Sequence, residues 1–78
     1  MIQFSTETGS TYLWDDVHSK LKRTERGVRS NPLQTDNEWE SVLGTVHVSL
    51  GESAVFALDR PTQQFRVTTA VTDIKEIL

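Results

Sequence analysis

The stretch 65-FRVTTAVTDI-74 has the composition of a β-strand. Because branching at Cβ restricts χ1 and suits a pleated surface, its β-branched residues favour strand over helix. Phe65, Val67 and Val71 fall on an alternating pattern, which predicts that they share the strand's buried face. The β-branched residues that favour a strand include Val67, Thr68, Thr69, Val71 and Thr72.

The preceding stretch, 46-VHVSLGESAVFALD-59, predicts a β-hairpin. Apolar residues alternate along 46–50, residues 51–53 have the composition of a short turn, and the alternation resumes along 54–58. A second turn at 59-DRPT-62 leads into the strand described above. The side chains predicted to share one face are Val46, Val48, Leu50, Ala54, Phe56 and Leu58.

The amino-terminal residues predict a second hairpin. Ile2 and Phe4 share one face of the first run, and Tyr12 and Trp14 share one face of the next. Gly9 lies in the turn between them, where a positive φ is available to it.

For two segments the sequence does not decide between a strand and a helix. Over 16–26, Val17 and Leu21 could lie on one side of a short helix, but the apolar stripe then fails, so we favour a strand over 18–25. Residues 36–43 predict a helical turn and a strand equally.

The whole chain, 78 residues without cysteine, predicts one small domain, since a second core would not fit. Residues 27–37 are rich in Gly, Pro, Asn and Ser and predict a surface loop. Five or six short strands in so small a chain predict an all-β fold, allowing one short helical turn. We expect a bent sheet that closes as an SH3-like barrel or roll.

The chain carries a formal net charge of −3. The amino terminus has no basic segment followed by an apolar run, and no window approaches the ~18 apolar residues of a membrane span. We therefore expect a soluble cytoplasmic protein without a membrane partner.

A basic segment at 20–29 stands out in this acidic chain, with a formal charge of +4. On a strand, Lys20 and Lys22 would face one way while Leu21 and Arg23 face the other. The segment therefore suits either a phosphate-binding surface or a solvated edge strand whose lysines discourage pairing. Its five cations are Lys20, Lys22, Arg23, Arg26 and Arg29.

The segment 36-DNEWE-40 places Trp39 among carboxylates, a combination of anchor and charged rim found at protein interfaces. The same acids could instead pair with the basic segment within the chain, and Trp39 could instead plug one end of the barrel. The predicted partner-binding residues are Arg23, Arg26, Arg29, Glu38, Trp39 and Glu40.

Catalytic and metal-binding residue types are sparse. His18 and His47 are the only histidines, and the adjacent Asp15 and Asp16 would point to opposite faces of a strand, which hinders chelation. The sequence has no glycine-rich phosphate loop and no nucleophile motif. We expect neither an enzyme nor a bound metal or cofactor.

The order of 10-STYLWD-15, a basic stretch, a polar loop ending in 37-NEW-39, and 65-FRVTTAVTDI-74 resembles small uncharacterised β-rich proteins of actinobacteria and their phages. These proteins often carry a Thr-Ser-Pro-Val-like segment near the carboxyl end, and residues 68–71 resemble it without the proline. The resemblance implies a small β-fold of phage or accessory origin, and it implies no activity or site residues.

These observations leave three functions open. The first is a non-enzymatic protein-binding or regulatory module that acts through the loop around residues 23–40. The second is a single-strand nucleic-acid binder that uses Lys20, Lys22, Arg23 and Arg26, with Tyr12 or Trp14 as stacking surfaces. Self-association through an open strand edge would extend the first function. The third is a self-assembling structural component of a virion.

Overall fold

The computed structural model describes residues 1–28, 32–33, 36–61 and 64–77. Within these ranges the chain is all-β, with no helix. Segment 36–43 therefore contains a strand rather than a helical turn, and 18–25 contains the strand expected there. The six strands are β1 (Ile2–Thr6), β2 (Thr11–Asp15), β3 (Lys20–Glu25), β4 (Glu40–Leu43), β5 (Ser53–Leu58) and β6 (Gln64–Glu76).

The strands form a closed antiparallel barrel in chain order, and β1 pairs with β6 to complete it. This confirms the predicted small barrel. Closure also removes the open edge that we had expected as a route to self-association. β6 makes closure possible because its two halves pair with different strands: residues up to Ala70 pair with β5, and Val71 onwards pair with β1.

Stacked aromatic rings fill the barrel. The ring of Phe4 lies 5.0 Å from that of Tyr12 and 6.0 Å from that of Phe56, and Trp14 meets Phe56 edge-on at 5.2 Å. The inward positions of β1, β2 and β5 supply them, as the alternation predicted. The buried apolar side chains are Phe4, Tyr12, Trp14, Leu21, Val42, Ala54, Phe56, Leu58 and Val71.

The start of the 27–37 loop is fixed to the turn between β1 and β2. The Gly27 N–H donates to Ser10 Oγ at 3.0 Å. A Cβ on Gly27 would lie 1.9 Å from the Thr8 carbonyl oxygen, so only glycine allows the two backbones to approach this closely.

The predicted hairpin between 46–50 and 54–58 is wrong. β5 pairs with β4 instead, through Val42 opposite Leu58 and Leu43 opposite Ala57. In 46–50 the only bridge between described residues joins Leu50 to Val71 of β6, in parallel. Val46 and Val48 pack half-buried against the core. Both side chains are removed from water by lying over the core, without pairing in a β-ladder. Alternation of apolar residues along the sequence does not distinguish this arrangement from a paired strand.

The predicted shared face of Phe65, Val67 and Val71 is also wrong. Val71 is buried, whereas Phe65 and Val67 are 63% and 62% exposed. The pairing register shifts between Ser53 and Val55 on the β5 side, where two residues of β6, Thr68 and Thr69, lie opposite the single residue Ala54 of β5. An extra residue in a strand reverses the side of the sheet to which the side chains beyond it point, so Phe65 and Val67 point outward.

The hydroxyl of Thr68 completes the hydrogen bonding at this irregularity. Thr68 is buried, and its Oγ1 accepts the N–H of Ala54 at 2.9 Å and donates to the Thr69 carbonyl at 2.7 Å. A side chain therefore satisfies a buried backbone donor where the ladder is out of register.

Candidate functional site

Arginine–carboxylate ion pairs form around two carboxylates, Asp36 and Glu40. Arg23 is 6% exposed and donates through Nε and Nη2 to the two carboxylate oxygens of Asp36, at 2.7 and 2.9 Å. This is a bidentate pair, the strongest geometry for such contacts. The N–H of Leu33 also donates to Asp36 Oδ2 at 3.1 Å, and that of Asn37 donates to the Arg23 carbonyl at 2.9 Å. The end of the loop is thereby fastened to β3.

The second carboxylate, Glu40, has a buried side chain and pairs with two arginines. Arg66 Nη2 donates to Glu40 Oε2 at 2.8 Å, and Arg60 forms an ion pair with Oε1. Glu40 lies on the inward side of β4 with Val42, so its charge requires these partners.

The electrostatics keep this cluster ionised. The hydrogen bond from Arg23 lowers the pKa of Asp36, and the same bond raises the pKa of Arg23. Burial lowers the pKa of Arg66 from a value so high that the group stays protonated at neutral pH. Asp36 and its partner Arg23 are therefore charged at neutral pH and paired within the chain.

Arg23 and Glu40 are therefore corrections to the predicted partner-binding set. Both are buried in intramolecular pairs because both occupy inward positions of their strands. The pairing of the basic segment with 36–40 is confirmed for Arg23 and Asp36. Arg26 and Glu38 are exposed, and Arg29 lies outside the described residues.

Trp39 lies on the outer surface, with 42% of its area exposed. The alternative that it plugs the barrel is wrong, because Glu40 and Val42 take the inward positions and Trp39 falls on the opposite side. Lys22 Nζ lies 5.1 Å from the centroid of the indole, a cation–π contact.

The nucleic-acid surface proposed from the sequence is not assembled as expected. Tyr12 and Trp14 are buried in the core and have no face on which a base could stack. Arg23 is used internally, which leaves Lys20, Lys22 and Arg26 of the four cations. The edge-strand interpretation fails for the start of β3, where Lys20 and Leu21 pair with β4 while β2 pairs on the other side.

The residues weighed for metal binding form only local contacts. Asp15 Oδ1 accepts the N–H groups of Val17 and His18, and Oδ2 lies 2.9 Å from His18 Nδ1. The side-chain hydrogen bond with His18 lowers the pKa of Asp15. His47 is exposed. Among the described residues, no three His, Cys, Asp or Glu side chains are grouped to hold a metal ion.

The feature that the sequence did not indicate is an apolar patch on the outside of β4, β5 and β6. Leu43 is opposite Ala57, Ala57 is opposite Phe65, and Val55 is opposite Val67. Directly opposed residues lie on the same side of a sheet with Cβ atoms ~5 Å apart, so these five side chains are neighbours. We call Leu43, Val55, Ala57, Phe65 and Val67 the apolar face.

The apolar face is large and uncharged. Leu43, Val55, Phe65 and Val67 are 45–63% exposed and leave on the order of 400 Å² to solvent, the size of the largest patch on a typical monomer. The outward strand positions Ser41, Ser53 and Thr69 nearby carry no charge, and the exposed carboxylate of Asp59 lies at the margin, directly after β5. The chain therefore presents a continuous apolar surface.

Comparison of the sequence with family models and curated proteins, and of the structure with solved structures, finds no match. The resemblance to actinobacterial and phage proteins stays a prediction. Within the described part of the chain, no helix has the length and hydrophobicity to cross a membrane.

Proposed function

We propose that this chain is a small non-enzymatic protein-binding module whose contact surface is the apolar face. The observation that supports this proposal is the cross-strand adjacency of exposed apolar residues: Val55 lies opposite Val67, and Ala57 lies between Leu43 and Phe65. Single exposed apolar residues are common on proteins, but a continuous patch of this size is often an interaction site.

The proposal moves the contact away from the loop around 23–40. Arg23 and Glu40 hold the barrel together, whereas Trp39 lies two positions from Ser41 and four from Leu43 on the outer side of β4. Trp39 therefore lies on the same outer side as the apolar face, beyond Ser41 and next to Lys22. An SH3-like classification of the barrel and a phage-type or accessory origin remain part of the proposal.

Site-specific photo-crosslinking in cells tests this function. A benzophenone amino acid in place of Phe65 should give discrete protein adducts, because Phe65 lies within the apolar face. The same amino acid in place of Val17, which is 79% exposed in the β2–β3 turn, serves as the control. Discrete adducts at 65 alone would support the proposal. Identical patterns at both positions, or none at either, would overturn it.

A second candidate function rests on the contact between Lys22 and Trp39. The exposed indole lies beside Lys22, and Lys20 is two positions away on the same side of β3. A stacking surface with adjacent cations is the combination that single-strand nucleic-acid binders use. The net charge of −3 opposes it at long range.

Titration of Trp fluorescence with a short oligonucleotide, at low and moderate salt, tests the second candidate. Binding that Lys22→Ala weakens and that Lys75→Ala, at an exposed lysine of β6, leaves unchanged would support it. Absence of binding at low salt would remove it.

A further inference from the structure

We infer that the occupant of the apolar face is a second copy of this chain, docked face to face about a two-fold axis. The inference rests on the proposed function and identifies its partner. Three properties of the described surface support it: the lack of charge on the face, the area available, and the closure of the barrel.

The first property is the lack of charge. In a two-fold contact the same patch lies on both sides, so a charged residue near the axis meets its own copy. The described outward side chains of β4, β5 and the first half of β6 carry no charge, so no like charges meet there. The outer side of β3 differs, because Lys20 and Lys22 would repel their copies. Arg60, at the margin, is already held by Glu40 and Gln64.

The second property is the area. Two copies of the apolar face bring together on the order of 800 Å² of apolar surface, and the polar rim raises the total towards ~1,200 Å², the lower limit of specific interfaces. This predicts a reversible dimer rather than a permanent one. A membrane surface is a poorer occupant, because anionic lipids would repel a chain with a net charge of −3.

The third property is closure. Pairing of β1 with β6 leaves no open end to the sheet, so a copy cannot add by continuing the ladder there. Contact between outer faces does not need an open strand edge, and the apolar face is the part of the described outer surface that gains most from losing water.

Sedimentation velocity over micromolar to millimolar concentrations tests the inference. The mass of the wild-type chain should rise with concentration from 8.8 kDa towards twice that value. Phe65→Ser should weaken association by roughly tenfold or more, because Phe65 is the largest side chain of the face. Val17→Ser, an equally polar change at an exposed valine elsewhere, should leave association unchanged. Circular dichroism verifies folding, and Val67→Ser replaces Phe65→Ser if that variant does not fold.

A mass of 8.8 kDa at every concentration would overturn the inference, as would equal weakening by Val17→Ser. Binding of the monomer to anionic lipid vesicles that depends on Phe65 would also overturn it, and would assign the face to lipid. The crosslinking described above separates failure here from failure of the proposed function. Adducts of heterologous mass with no self-adduct would leave a protein-binding module whose partner is another chain.

Discussion

At neighbouring positions of β4 and β6, charged side chains point into the barrel and apolar side chains point out of it. Glu40 and Arg66 point inward and form a buried ion pair, whereas Leu43, Phe65 and Val67 point outward into solvent. The buried charges are compensated, since each has a hydrogen-bonded partner. The exposed apolar side chains have no such compensation within one copy of the chain. Of the two regions, the exposed apolar one is therefore the one that would gain from contact with another surface.

The largest expected effect contrasts two valines of β6. Val71→Ser places a hydroxyl in the core and should lower the free energy of unfolding by ~2–4 kcal/mol. Val67→Ser, at a 62% exposed position, should change it by less than ~0.5 kcal/mol in dilute solution. Urea denaturation measures both. Equal losses would mean that Val67 is part of the core.

Asp36→Asn tests the ion-paired region by removing the carboxylate that pairs with Arg23. The variant leaves the buried Arg23 guanidinium without its carboxylate and should cost ~2–3 kcal/mol, below the range for fully buried pairs because Asp36 is partly exposed. Glu38→Gln, at an exposed acid of the same segment, is the matched control and should lie within ~0.5 kcal/mol of wild type. Similar losses in both variants would contradict the account of the cluster.

The same carboxylate predicts a dependence on pH. Because the pKa of Asp36 is lower in the folded chain than its unfolded value of ~3.9, its contribution is fully present above that value and is lost as pH falls through the folded pKa. Acid titrations followed by circular dichroism should show a smaller loss of stability for Asp36→Asn than for wild type. Parallel curves would show that the pair contributes no pH dependence.

Thr68→Val tests the irregularity that turns Phe65 and Val67 outward. The variant keeps the shape of the side chain but leaves the buried N–H of Ala54 without an acceptor, at a cost of ~1–3 kcal/mol. Thr69→Val, at the exposed neighbouring threonine, should cost less than ~0.5 kcal/mol. A neutral Thr68→Val would mean that another acceptor serves Ala54.

The smallest effect concerns the border of the apolar face. Lys22→Ala removes the cation from the Trp39 ring and should cost at most ~1 kcal/mol, while acrylamide quenching of Trp39 fluorescence increases. Buried Trp14 should contribute an unquenched background in both proteins. Unchanged quenching would mean that Lys22 does not cover the indole.

Much of the barrel could be predicted because alternation reports which side of a strand is apolar. It correctly predicts the inward positions of Phe4, Tyr12 and Trp14, and the opposite facing of Lys22 and Arg23 on β3. The same reasoning places Arg23 on the same face of β3 as Leu21, so the burial of Arg23 could be predicted from the sequence. The identity of its partner, Asp36, depends on the path of the loop.

The apolar face could not be predicted from the sequence. Phe65 and Val67 have the spacing of core residues. The extra residue of β6 between the pairs Ser53–Ala70 and Val55–Val67 turns their side chains outward. Alternation also cannot distinguish an apolar run that pairs in a sheet from one that covers it, as Val46 and Val48 do.

The measurement that tests the central claim most directly is a dilution series followed by amide chemical shifts. If the apolar face is the contact between copies, the shifts of Val55, Phe65 and Val67 should move with concentration while those of Val17 and Lys75 stay fixed. Concentration-dependent shifts confined to β1, β2 and β3, or no shifts up to millimolar concentration, would contradict it.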